Sequence, residues 1–213
     1  GSRARRHLAA MGNSSAALGL VGFGVCVPTP ATGDDVGHLP VDLAISIFPI
    51  EKDWILGGKH AYHTSVVLAG QEYYFNPEGV QCFPVKERFG MPPSHMNKVK
   101  TQVFEVGRTR RSGEELLRKV GPHFSRGSYD TVLKNCNSFT DCALAFLLSR
   151  RLPAKYSDVE KLGQQAPLIL SWASGGRYKE NEQAKGFDLE GLVLRLDENA
   201  WMGTSAGRQG AYE

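Results

Sequence analysis

The chain has 213 residues, 41% of them hydrophobic and 22% charged, which suits one ordinary globular domain with tails. Its 25 Lys and Arg against 22 Asp and Glu leave a net charge of +3. The basic residues are spread along the chain, so nucleic acid is not implied as a partner. Four cysteines without a Cys-x-x-Cys pair make neither a disulfide scaffold nor a structural zinc site, and no metal or cofactor is expected.

That cysteine usage suits a reducing compartment, so a cytoplasmic location, extending to the nucleus, is expected. No apolar run approaches the ~18 residues of a membrane span, and no integral membrane segment is expected.

Residues 1–38 are rich in Gly, Ala and Pro and read as a flexible leader, its Gly1-Ser2 start resembling a cleavage scar. The domain itself is placed at 39–168. Val41 to Ile47 alternates as a half-buried strand should. Thr64 to Ala69 and Gln71 to Phe75 flank Gly70 and predict a hairpin. Asn76-Pro77-Glu78-Gly79 predicts a turn into a third strand, Val80 to Val85. Lys98 to Val106 predicts another.

Helices follow. Ser112-Gly113-Glu114-Glu115 has the spacing of a capping box, and Gly121-Pro122 stops the helix it opens. A second helix runs from Cys136 to about Arg150, before Pro153. A second capping box, Ser157 to Glu160, opens a short helix to about Gln165. Residues 169–213 are an extension, partly disordered or docked. In it Phe187 to Leu196 keeps some apolar character.

Cys136 carries the sharpest chemistry. The polar stretch Lys134-Asn135-Cys136-Asn137-Ser138 runs into the apolar pattern from Phe139 to Leu148, placing a thiol in the first turn of a helix. Unpaired N–H groups and the helix dipole favour an anion there. A free thiol has a pKa near ~8.5. Lowering it by ~2 units takes roughly 2.7 kcal/mol. The helix start supplies ~0.3–1 kcal/mol, up to ~2 when partly buried.

The remainder needs a partner, and an ion-paired His is the natural one. His63 is preferred, because Thr64-Ser65-Val66-Val67 holds its backbone in a strand. His60 competes but follows Gly57-Gly58. On a regular strand only one of the two would face Cys136. The plain alternative for Cys136 is a small buried hydrophobe, which is how Cys142 reads. Asn135, Asn137 and Tyr62 are candidates for an oxyanion site or cleft lining, as is Trp172. Each also has an ordinary structural reading.

Three stretches resemble the PPPDE family of permuted papain-fold peptidases, the desumoylating isopeptidase group. They are Tyr62-His63-Thr64-Ser65-Val66-Val67 leading to Glu72-Tyr73-Tyr74-Phe75, Tyr129 to Phe139 around Asn135-Cys136-Asn137, and Leu147 to Pro153. The resemblance implies an α+β, permuted papain-like fold, with a small antiparallel sheet packed against helices that carry the nucleophile. It implies a dyad of Cys136 and His63 and an isopeptide bond at the C-terminus of a ubiquitin-like modifier, SUMO or ubiquitin, as substrate.

Departures fall at Phe48 to Ala61, at Asn76-Pro77-Glu78 in place of a Gly-rich turn, and at Ser149 where Gly is common. Lecithin:retinol acyltransferase-like enzymes are the neighbouring alternative, with acyl transfer or thioester cleavage as the chemistry. A modifier-binding module without catalysis is the non-enzymatic one.

Overall fold

The alternation in the first predicted strand becomes β1 (Leu39–Phe48), the second strand from one edge of a five-stranded sheet. The structure is a computed structural model and describes residues 38–48, 60–85, 92–96, 99–165, 176 and 178–197. β2 (Ala61–Leu68), β3 (Gln71–Asn76), β4 (Gly79–Pro84) and β5 (Val99–Thr109) complete the sheet in the order β4-β3-β2-β1-β5. Every neighbouring pair is antiparallel. The predicted hairpin turns at Ala69 and Gly70, both at positive φ (50° and 72°), as a two-residue turn matched to strand twist requires.

One sheet face is apolar. Val41, Leu43 and Ile45 of β1, Val66 and Leu68 of β2, and Tyr73 and Phe75 of β3 are buried there. Against them lies α2 (Cys136–Leu148), through Phe139, Cys142, Ala143 and Phe146. Burying such side chains contributes ~1.5–3 kcal/mol each for the larger ones. α2 is buried along almost its whole length, which is why its sequence is apolar all round rather than on one stripe.

Three shorter helices frame α2. α1 (Gly113–Val120) carries the predicted capping box, with Ser112 and Glu115 satisfying each other's backbone N–H. α3 (Asp158–Gln165) follows a short 3-10 turn at Ala154–Tyr156. α4 (Leu189–Leu196), in the extension, buries Leu192, Val193 and Leu196 in the same core. Arg151 ties these parts together, reaching both oxygens of Asp141 on α2 and both of Glu190 on α4.

α2 ends at Ser149, whose φ of 52° is left-handed. That conformation is easiest for Gly, which accounts for the preference at this position.

The other sheet face is polar at its centre. Ser46, Ser65 and Glu72 are buried beneath a 3-10 turn at Pro93–His95, and His95 is wholly enclosed with them. No helix among the described residues is long and apolar enough to cross a membrane. The expectations for the leader, for residues 49–59, for Trp172 and for the tail after Gly203 lie outside the described residues.

Candidate active site

The site forms where the sheet comes apart. β2 and β3 pair only over Val66–Leu68 against Gln71–Tyr73, and beyond Tyr73 they diverge. In β2, Thr64 faces α2 and Ser65 faces the polar side, as alternation dictates. Thr64 has left the β3 ladder, and its backbone N–H donates to the sulfur of Cys136 instead. The thiol therefore lies against the backbone of β2 at Thr64, just beyond the stretch paired with β3.

Asn135 makes the helix start. Its side-chain oxygen accepts from the N–H groups of Asn137 and Ser138, while Ser138 Oγ accepts from the Asn135 N–H. The loop before it is held by Asp130. One oxygen of that carboxylate accepts from the N–H groups of Val132 and Leu133, and the other accepts from Asn181 N–H. Both oxygens also receive the Tyr178 hydroxyl. Two backbone hydrogen bonds between Asp130 and Lys134 close the loop. Cys136 is thus mounted on a fixed helix start and is only 5% exposed.

The asparagines are structural staples. Asn137 accepts from the Thr64 hydroxyl and turns its amide to the carbonyls of Tyr62 and Tyr156 and to Glu160. Asn135 gives its amide to Thr131 O and Glu160. Both amides are thereby engaged in joining β2, α2 and α3. Glu160 does not use its carboxylate as a capping-box member. Oε1 meets the two asparagines, and Oε2 is buried without a partner. Tyr62 stacks edge-to-face on Tyr156, with ring centroids 5.1 Å apart.

The electrostatics differ from the sequence expectation. Burial pushes the Cys136 thiol up to about 11, and the Glu160 carboxylate adds to the rise. Hydrogen bonds from Thr64 N–H, the Tyr129 hydroxyl and Asn137 N–H pull the other way without overcoming it. The expected depression does not occur, because desolvation of a nearly enclosed sulfur outweighs the helix start. A thiol raised in this way favours its protonated form at neutral pH.

His63 approaches the opening from the polar side. Its Nε2 lies 2.8 Å from Ser94 Oγ, and its ring centroid is 4.7 Å from that of His95 and 6.0 Å from that of Tyr74. His63, Tyr74, Phe75, Asn76, Pro77, Ser94 and Tyr129 line a pocket of about 320 Å³. Tyr129 links the two halves. It borders the pocket with His63, and its hydroxyl is hydrogen-bonded to the Cys136 sulfur and to the Cys136 N–H. His60 is exposed, and its ring neighbours Tyr62, 6.4 Å between centroids.

The sequence reading overlooked Tyr129, Glu160, Glu72 and Ser94. Tyr129 and Glu72 stood inside the matched motifs but carried no local mark of a role.

An antiparallel sheet with a central helix whose first residue is a thiol, set at a split between strands, defines a papain-like α+β domain. The model of the PPPDE putative peptidase domain matches residues 43–173, more than half of the chain, and the chain belongs to that family.

Over 112 residues it is 29% identical to desumoylating isopeptidase 1 of Xenopus laevis, a stretch covering 50% of this chain and 62% of that protein. Over 103 residues it is 31% identical to desumoylating isopeptidase 1 of Rattus norvegicus, covering 46% and 56%. Over 130 residues it is 27% identical to a DeSI-like protein of Schizosaccharomyces pombe, covering 58% and 63%. The chain spans less than two thirds of the length of these relatives.

Proposed function

We propose that the protein is a cysteine isopeptidase that cleaves the bond at the C-terminus of a ubiquitin-like modifier, with Cys136 as nucleophile and His63 as general base. The observation that carries this reading is the split between β2 and β3. It holds the Cys136 sulfur against β2 at Thr64, where Tyr129, hydrogen-bonded to that sulfur, and His63 border one pocket. The names of the relatives favour SUMO conjugates as the substrate class. Free thiols at Cys82, Cys136 and Cys142 accord with action in a reducing compartment, the cytoplasm and nucleus.

In this mechanism His63 takes the thiol proton as the sulfur attacks the scissile carbonyl carbon. The carbonyl oxygen becomes an oxyanion beside the Cys136 N–H and the Tyr129 hydroxyl, which exchange their present bonds to each other and to the sulfur for bonds to it. The imidazolium then gives its proton to the departing lysine amine. Water, deprotonated by His63, hydrolyses the acyl-thioester and restores the thiol. Asn76 and Pro77 lie in the pocket wall and replace the family's Gly-rich turn, so modifier preference is expected to depend on them.

The test is a panel of C-terminal electrophile probes built on SUMO, ubiquitin and other modifiers, with a palmitoyl-thioester substrate in parallel. SUMO-probe labelling of the wild type that Cys136→Ser abolishes supports the proposal. Turnover retained by Cys136→Ser refutes it, and turnover of the palmitoyl thioester alone would put acyl-thioester cleavage in its place.

A further inference from the structure

On the polar side of the sheet, behind His63, lies a chain of buried hydrogen bonds. Glu72 is fully buried. Its Oε2 accepts from the Ser94 N–H at 2.8 Å, and its Oε1 accepts from the Ser94 hydroxyl. The Ser65 hydroxyl also bonds to this carboxylate, and His95 Nε2 lies 3.7 Å from Oε1. His95 is in turn held between Ser65 Oγ at 2.9 Å and Ser46 Oγ at 2.6 Å. A buried carboxylate is retained at considerable cost unless it is so satisfied. The arrangement reaches outward through Ser46 Oγ to Thr101 Oγ1 at 2.7 Å and, toward the candidate site, through Ser94 Oγ to His63 Nε2 at 2.8 Å.

We infer that Ser94, oriented by Glu72, is the positioning residue for His63 and sets which ring nitrogen is the base. The inference rests on the isopeptidase reading and supplies its third member. The argument is one of proton counting. Burial raises the Glu72 carboxyl, and the hydrogen bonds from Ser65 and from the Ser94 N–H and hydroxyl oppose that rise. In its ionised form the carboxylate only accepts, and a serine hydroxyl has a single proton to give. With that proton committed to Glu72, Ser94 Oγ can only accept, so His63 carries its proton on Nε2. Nδ1 then keeps its lone pair, the one that takes the thiol proton in the proposed isopeptidase mechanism.

A His base needs a partner that fixes its tautomer and ring orientation, the role of the third member in acyl-transfer triads. Here a serine relays the carboxylate. Neither residue carries a local sequence mark, because they lie 22 positions apart and meet only through the fold.

Two-dimensional ¹⁵N–¹H NMR of histidine-labelled protein reads the tautomer directly, without any substrate. The Nε2–H form of His63 is expected in the wild type. In Ser94→Ala it should give way to a mixture, with kcat lowered ~10–100-fold and KM unchanged, as loss of orientation predicts. Ser94→Thr, which keeps the hydroxyl, should restore both. Glu72→Gln should act like Ser94→Ala. If it fails to fold, Ser94→Ala at its half-buried site still decides.

An Nδ1–H tautomer in the wild type would overturn the inference. So would Ser94→Ala with tautomer and kcat unchanged. A His63→Ala variant that stays fully active would instead sink the isopeptidase reading, which keeps the two failures distinct.

Discussion

Cys136 and Cys142 share one helix and differ in what surrounds the sulfur. Both are buried and both thiols are pushed up by desolvation. Of the two, only Cys136 receives hydrogen bonds from a strand N–H and a tyrosine hydroxyl, and that tyrosine, Tyr129, lines a pocket with His63. In the native state iodoacetamide should therefore modify Cys136 much faster than Cys142, followed by peptide mass spectrometry. His63→Ala should slow Cys136 toward the Cys142 rate, since with a pKa about 11 only about one thiol in ten thousand is ionised at neutral pH. Equal rates at the two cysteines in the wild type would count against a general base at this site.

At the scale of elements, the helix start is a joint rather than a terminus. Asn135 and Asn137 fasten α2 to β2 and α3, and Asp130 fastens the preceding loop to the segment leading into α4. Asp130→Ala would leave the N–H groups of Val132, Leu133 and Asn181 and the Tyr178 hydroxyl without their acceptor. Each buried donor left unmet costs about 1–3 kcal/mol, less where water reaches it, so a net loss of about 2–4 kcal/mol is expected. A urea midpoint shifted down by that amount, with Cys136 labelling lost before global unfolding, would verify it. An unchanged midpoint would show that the loop holds itself without the carboxylate.

For the molecule as a whole, burial of acidic protons is expected to lower stability at alkaline pH. Burial pushes the Cys136 thiol up to about 11, and the Cys142 thiol and Tyr129 phenol move in the same direction. For such groups the folded state favours the protonated form. Their contribution is fully present below the unfolded-state pKa and is lost as pH rises through the folded-state value. For Cys136 alone the loss is on the order of 3 kcal/mol across about pH 9 to 11. Urea midpoints measured across that range should fall steadily, and Cys136→Ala should fall less. A flat profile would mean that the sulfur is reached by solvent.

Much of this architecture is legible locally. The β2–β3 hairpin, the Ser112 capping box and the start of α2 at Cys136 all follow from patterns within a few residues, because turn chemistry and capping are short-range. The split between β2 and β3 is not, since it depends on where two strands part. Nor are the Glu72–Ser94 pair and the Tyr129 hydroxyl, whose partners come from other elements.

The helix-start pattern by itself therefore determined that Cys136 stands in the first turn of a helix, and so made it the candidate nucleophile. Tertiary structure decided that burial raises the thiol rather than lowering it, that the Tyr129 hydroxyl meets the Cys136 sulfur, and that Ser94 joins Glu72 to His63. The physical reason is that desolvation and hydrogen-bond direction are properties of the assembled surroundings and have no address in a linear motif.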